Sequence, residues 1–363
     1  MRLKHKMGKP KILAINLPQF HPNPENDEWW GKGFTEWTNV AKSKPLFRNH
    51  DQPQLPADLG FYDMRLPETL DEQAQLAKEY GIDGFCYYHY WFSGKRLLKE
   101  PIDQLLVNKK PDFPFCYFWA NETWSRRWMG EEKEVLIKQE YSHEDDLEHA
   151  KWLIQSFKDE RYIKINGRPV FIIYKPFDLP NPQKTIQIFE EVAKENGILK
   201  PYFVASNSHS MDVNPYELGF DHALHFQPRL QVLSEFMIEG PTIKKLIRNT
   251  LNGIFSSSLR AYTYQYYKDR IKNLQIKYPG FPCVLVGFDN TARRGDKAIV
   301  LKDQSVEIFE ESLIEAIEEA KKLNEGEQIV FINAWNEWAE GNHLEPCRKF
   351  GRQFLEALKR VVS

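Results

Sequence analysis

Eight short runs of β-branched and aromatic residues alternate along this chain with longer stretches of helical period, and that alternation restricts the fold more than any other feature. The runs are Lys11–Leu17, Asp83–Tyr88, Pro114–Trp119, Val170–Tyr174, Pro201–Ser206, His222–Phe226, Cys283–Phe288 and Gln328–Ala334. Apolar residues return every three or four positions in Pro67–Tyr80, Leu97–Val107, His143–Lys158, Asn181–Asn196 and Ser305–Leu323, and in a closing stretch, Arg348–Val361. Strands that alternate with helices form βαβ units and a parallel sheet. Near-continuous apolar strands need helices over their outer face, so eight such units predict a (β/α)₈ (TIM) barrel, an α/β fold. The competing doubly wound nucleotide-binding sheet lacks its usual signal, because no GxGxxG or Walker-type loop follows any of the runs. A length of 363 residues fits one barrel domain over 1–363.

Two connections are longer than loops usually are. Residues 18–66 follow the first strand, and 229–282 separate strands six and seven. The second holds the Tyr-rich LRAYTYQYYKDRI and predicts a helical insertion, which either closes over a site or covers the barrel and mediates self-association.

Charge narrows the partners. Lys+Arg 49 against Asp+Glu 51 leaves a net charge of -2, which gives no general attraction for phosphate backbones or anionic lipid, so nucleic acid is not an expected partner. No stretch of about 18 apolar residues occurs, so no transmembrane segment is expected. The basic N-terminus lacks the apolar core of a secretory signal, which points to a cytoplasmic, reduced protein. Cys86, Cys116, Cys283 and Cys347 form no CxxC pair, and no HxH, HExxH or DxD pattern is present; neither a metal nor another cofactor is expected.

In a (β/α)₈ barrel the functional groups sit at the C-terminal ends of the strands, so sequence position becomes a spatial expectation. Trp29, Trp30 and Trp37 follow strand one, Trp91 strand two, Trp119, Trp124 and Trp128 strand three, and Trp335 and Trp338 strand eight. Indoles gathered on one rim suit the C–H faces of pyranose rings, although each could instead fill the barrel mouth. Polar groups converge on the same rim: Gln19 and His21, with Glu36 in the first long connection, Tyr88 and His89, Asn121 and Glu122, Tyr174, Asn207, His225 and Gln227, and Asp289. Amides, carboxylates and imidazoles match hydroxyls that both donate and accept.

The sharpest constellation is Asn333-Ala334-Trp335-Asn336-Glu337-Trp338-Ala339-Glu340-Gly341 at the end of the last strand. Two carboxyls held close beside indoles cannot both ionise easily, so one can serve as acid and the other as base, the division that glycosyl transfer needs. On a helical turn the Cβ atoms of Glu337 and Glu340 are expected about 5–6 Å apart.

These residues carry a resemblance. LPQFHP at 17–22, GFTEWTNV at 33–40, QPQLPADLGFYD at 52–63, GIDGFCYYHYWF at 81–92, PFCYFWANETW at 114–124 and NAWNEWAEGNHLEP at 333–346 resemble the WbsX-like proteins of bacterial surface-polysaccharide clusters. That family is in turn similar to glycoside hydrolase family 99, the endo-acting α-mannosidases and α-mannanases. The resemblance implies a (β/α)₈ barrel and retaining chemistry at an α-mannoside-like bond. Carried over residue by residue, it makes Glu337 the base that deprotonates the sugar 2-hydroxyl, which attacks C1 to give a 1,2-anhydro sugar, and Glu340 the general acid/base. An oligosaccharide or polysaccharide is the expected substrate, and membrane-associated glycan-assembly enzymes are the expected neighbours. Two alternatives stand beside this reading. One is a glycosyltransferase using a sugar nucleotide in O-antigen or capsule biosynthesis; the other is a non-catalytic glycan-binding barrel, against which the acid/base pair argues.

Overall fold

The computed structural model describes residues 9–126, 131–208, 213–233 and 259–363. Its eight barrel strands are β1 (Lys11–Asn16), β2 (Gly84–Phe92), β3 (Phe115–Trp119), β4 (Arg168–Ile173), β5 (Tyr202–Ser206), β6 (His222–His225), β7 (Phe281–Leu285) and β8 (Ile329–Asn333). Each pairs in parallel with the next. Leu13 of β1 lies opposite both Phe331 of β8 and Gly84 of β2, which closes the sheet into the expected barrel. Strands such as FCYFW are buried along their whole length because side chains fill the inside and helices cover the outside.

The helices are α1 (Pro24–Trp30), α2 (Glu36–Lys42), α3 (Pro67–Glu79), α4 (Glu100–Asn108), α5 (His143–Phe157), α6 (Pro182–Glu195), α7 (Tyr264–Lys272), α8 (Thr291–Arg294), α9 (Val306–Ala320) and α10 (Gln353–Val362). Their starts are written in side chains: Ser142, Asn181 and Ser305 accept the backbone N–H of the residue three positions on. Each such cap stabilises by about 1 kcal/mol. α9 buries Phe309, Leu313, Ala316 and Ala320, one face at alternating four- and three-residue steps. Phe354 of α10 packs edge-on against Phe309, 5.4 Å between centroids.

Several boundaries differ from the sequence reading. β2 runs on to Phe92 and turns back through Lys95–Leu97, so the helix expected from Leu97 begins at Glu100. The closing helix begins at Gln353 rather than Arg348, because Gly351 N–H bonds back to the Cys347 carbonyl in a turn. β7 ends at Leu285, and Phe288–Asp289 pairs instead with Ile299–Lys302, which also pairs with Arg260–Thr263. The Tyr-rich segment is therefore strand first and helix second. Its Tyr262, Tyr264 and Tyr267 form a small separate core with Leu285, Phe288 and Leu301. Residues 234–258 of that connection lie outside the described residues, as does Trp128. Among the described residues no helix is long and apolar enough to cross a membrane.

Candidate active site

The last strand delivers its motif into a tightly tied turn. Trp335 N–H donates to the Ile15 carbonyl at 2.7 Å. The Asn336 side chain accepts from Leu17 N–H at 2.7 Å and donates to the Leu17 carbonyl at 3.0 Å, fastening the turn to the end of β1. Asn336–Glu337 then pairs antiparallel with Asn342–His343, and Trp338–Glu340 forms a single 3₁₀ turn between them. Three residues complete one turn of a 3₁₀ helix, so its chain returns Glu340 to the face that Glu337 leaves. This replaces the α-helical turn expected from the spacing. Gly341 closes the hairpin at φ 57°, and a Cβ there would stand 2.9 Å from Asp289 Cβ, so only glycine fits.

Below this hairpin the indoles act as struts. Trp338 stacks on His343, 3.8 Å between centroids, and its Nε1 donates to Glu345 Oε2 at 2.6 Å. Glu345 also accepts from Tyr62 Oη and Gln73 Nε2, yet burial raises its carboxyl to about 7. Trp37 donates to the Tyr62 carbonyl at 2.8 Å and packs on Trp338.

Glu337 and Glu340 meet a third carboxyl and one cation. Arg293, from α8 beyond β7, donates through Nη2 to Glu337 Oε2 at 2.8 Å, through Nη1 to Glu340 Oε1 at 2.6 Å, and through Nε to Glu36 Oε1 at 2.8 Å. Its Nη2 also bonds Glu36 Oε1. Glu36 opens α2 and is fully buried. Burial pushes Glu337 up to about 8; Arg293 opposes that rise, and Glu340 and Glu36 add to it. Burial raises Glu36 as well, again against the pull of Arg293. The guanidinium loses hydration in the same place, but the three carboxyls outweigh that loss and hold its proton.

Arg293, Glu337 and Glu340 line a cavity of about 420 Å³ at the C-terminal ends of the strands, together with Gln19, Trp30, Tyr88, Tyr90, Glu122, Trp124 and Tyr174, and Glu36 reaches it only through Arg293. Burial, with Glu337 nearby, lifts the Tyr88 and Tyr90 hydroxyls well above their ordinary range, so both stay neutral and able to donate. Trp124 stands edge-on to Tyr90 at 5.1 Å and forms an aromatic wall with it. A larger and more open depression of about 620 Å³ beside Tyr141–Asp145 contains none of the strand-end groups just described.

The structure thus brings Gln19, Trp30, Glu36, Tyr88, Glu122, Trp124, Tyr174, Glu337 and Glu340 together and gives the following expected site residues other roles. Trp91, Trp119, Trp335 and Trp338 are at most 2% exposed and belong to the core. Trp91 donates to Asp145 at 2.8 Å and stacks on His149, while Trp119 donates to the Trp91 carbonyl. His89 faces outward from β2 onto His149 at 2.9 Å, and burial keeps it neutral. His21 pairs with Glu100 at 2.8 Å. Asn121 ties the loop after β3 to Lys175, and Asn336 ties the Glu337–Glu340 turn to β1, so both are fasteners. His225, driven down to about 3 by burial, and Gln227 line a separate groove against α7. Asp289 accepts from His50 Nε2, Gln52 Nε2 and Thr291, which anchors α8 rather than facing the cavity.

Arg293 and Tyr90 escaped the sequence reading. Tyr90 carried a signal, since it lies two residues beyond Tyr88 and shares its face of the strand. Arg293 carried a weaker one, a basic pair shortly after a strand end in a chain whose rim is rich in carboxyls.

A closed parallel barrel with acid–base side chains gathered at the C-terminal ends of its strands is the architecture of the (β/α)₈ enzymes. The chain belongs to the family described as "Glycosyltransferase WbsX", which matches residues 12–358. It is 37% identical over 353 residues to "Uncharacterized protein WxcX" of two strains of Xanthomonas campestris pv. campestris. That match covers 97% of this chain and 49% of the relative, so the chain spans about half the length of the curated relatives it matches. Among solved structures it is similar to one titled "Glycoside hydrolase-like protein", with TM-score 0.58 at 12% identity, covering 99% of this chain and 96% of the other. It is also similar to the GH99 endo-alpha-mannosidase from Bacteroides thetaiotaomicron, with TM-score 0.54 at 14% identity, covering 97% and 95%. At such identities the likeness is one of fold.

Proposed function

We propose that this chain is a retaining glycan-processing enzyme, hydrolase or transglycosylase, that acts on an α-mannoside-like bond of a surface polysaccharide or its precursor. One observation carries the reading: Arg293 holds Glu337 and Glu340 by one oxygen each at the mouth of an aromatic-walled cavity. The second oxygen of each carboxyl makes no hydrogen bond among the described residues. In the proposed step Glu337 takes the proton of the sugar 2-hydroxyl as O2 attacks C1. Glu340 protonates the departing glycosidic oxygen and then, as a base, takes a proton from the water or sugar that attacks C1, while Glu337 returns its proton to O2 as the C1–O2 bond of the anhydro ring breaks. A base tuned near the working pH transfers protons most effectively, which suits the buried Glu337. Glu340, whose side chain is 25% exposed, stands nearer the solvent from which an acceptor enters.

The family description favours a second reading, a sugar-nucleotide-dependent transferase. Against it stand the three carboxyls that surround Arg293, since a donor diphosphate placed there meets excess negative charge. Turnover of paired α-mannosides, with the 2-hydroxyl present or replaced by hydrogen, tests the proposal. It requires that the 2-deoxy compound be inert, and equal turnover of the two removes O2 participation. Stabilisation by a nucleotide sugar in a thermal shift, with no glycosidase turnover, supports the transferase instead.

A further inference from the structure

Among the described residues, Arg293 is the one that touches all three carboxyls. A guanidinium presents five N–H donors in one plane, and here one oxygen of Glu36 accepts from both Nε and Nη2. That double contact sets the plane of the group, and two further donors fall on Glu337 at 2.8 Å and Glu340 at 2.6 Å. The short helix α8 that carries Arg293 is itself anchored, since Asp289 Oδ1 accepts both N–H and Oγ1 of Thr291.

The geometry points to Arg293 as a positioning residue that sets the separation and orientation of Glu337 and Glu340, with Glu36 as the anchor that aims it. This inference rests on the carboxyl-pair reading above. Lysine cannot replace it, because an ammonium offers donors from one point rather than a planar fork. The groups that face Glu337 are Arg293 from α8, Glu340 from its own turn, Glu36 from α2, Tyr88 and Tyr90 from β2, and Tyr174 beyond β4. Arg293 favours the ionised form of Glu337, whereas Glu36 and Glu340 disfavour it. The arrangement therefore makes opposite demands on two variants: loss of the cation makes Glu337 harder to ionise, and loss of the Glu36 charge makes it easier.

The test is a carboxyl titration by infrared difference spectroscopy, with the Glu337 band assigned by its disappearance in E337Q. Wild type, R293M, R293K and E36Q are compared, with far-UV circular dichroism confirming that each is folded. The Glu337 midpoint is expected to rise by about one to three units in R293M and to fall in E36Q, whose amide oxygen still accepts from Arg293. R293K, which keeps the charge but not the fork, is expected to shift the midpoint less than R293M. On an activated α-mannoside, kcat should drop about 100-fold in both R293M and R293K with KM within a few-fold, because misplaced groups lose rate rather than binding. A Glu337 midpoint that stays fixed in folded R293M and E36Q overturns the inference. Midpoints that move as stated, in a protein with no turnover on any mannoside, uphold the clamp and count only against the glycosidic reading.

Discussion

Glu337 is pulled in two directions by its surroundings: burial and two neighbouring carboxyls hold its proton on, while Arg293 at 2.8 Å draws it off. As the base of the proposed reaction it has to be ionised, so kcat/KM should climb with pH until the carboxyl is titrated, near 8 in the free enzyme. The same shift acts on stability. A folded-state value raised above the ordinary carboxyl value of 4.5 leaves the group's contribution intact below about 4.5 and removes it as pH rises through about 8. E337Q should therefore gain stability relative to wild type between pH 5 and pH 8.5, as read by urea unfolding at both values; a constant difference contradicts the assignment. Glu340 has a separate signature. E340Q should lose about 10²- to 10⁴-fold in kcat on unactivated glycosides and far less on substrates with good leaving groups, which need little protonation. E337Q should impair both kinds, and equal losses in E340Q remove Glu340 from the acid role.

At the scale of elements, the aromatic residues divide into struts and walls. Substituting Trp91, Trp119 or Trp335 by Ala should cost about 3–5 kcal/mol, because each is a core residue. Trp124, on the hairpin formed by Trp124–Arg126 and Glu131–Ile137, should behave differently. Its Ala variant should keep stability within about 1–2 kcal/mol and weaken oligosaccharide binding in calorimetry. Large destabilisation at Trp124 would return it to the core. This division explains why the rim was only partly legible in the sequence. That indoles follow strand ends is readable, but whether each faces the cavity depends on the strand's true end and its period of two. β2 illustrates the point: Tyr88 and Tyr90 turn inward, His89 and Trp91 outward, and the register becomes clear only when the strand is known to reach Phe92. The Glu337–Glu340 pair was legible because a buried strand leads straight into it. Arg293 was not, because Phe288–Asp289 leaves the barrel for a side ladder and redirects the chain before α8 begins.

At the scale of the whole molecule, the barrel brings residues distant in sequence to one mouth. Gln19, Glu36, Tyr88, Glu122, Tyr174, Arg293 and Glu337 come from the ends of β1, β2, β3, β4, β7 and β8 or from the loops just beyond. That closure was legible from eight apolar runs and their helices, because a parallel sheet covered on both sides leaves few other solutions. The segment 229–282 was less so: pairing of Arg260–Thr263 with a strand some forty residues away is non-local and leaves no periodic trace. The central claim is that this mouth holds a sugar with its anomeric carbon between Glu337 and Glu340. The most direct measurement is a crystal structure with a mannose-configured iminosugar, whose ring nitrogen marks the anomeric region. The account predicts the inhibitor in the cavity lined by Tyr88 and Trp124, with its 2-hydroxyl within about 3 Å of Glu337 and its anomeric side facing Glu340. An inhibitor that binds elsewhere, or that sits in the cavity with its 2-hydroxyl turned away from Glu337, would contradict it.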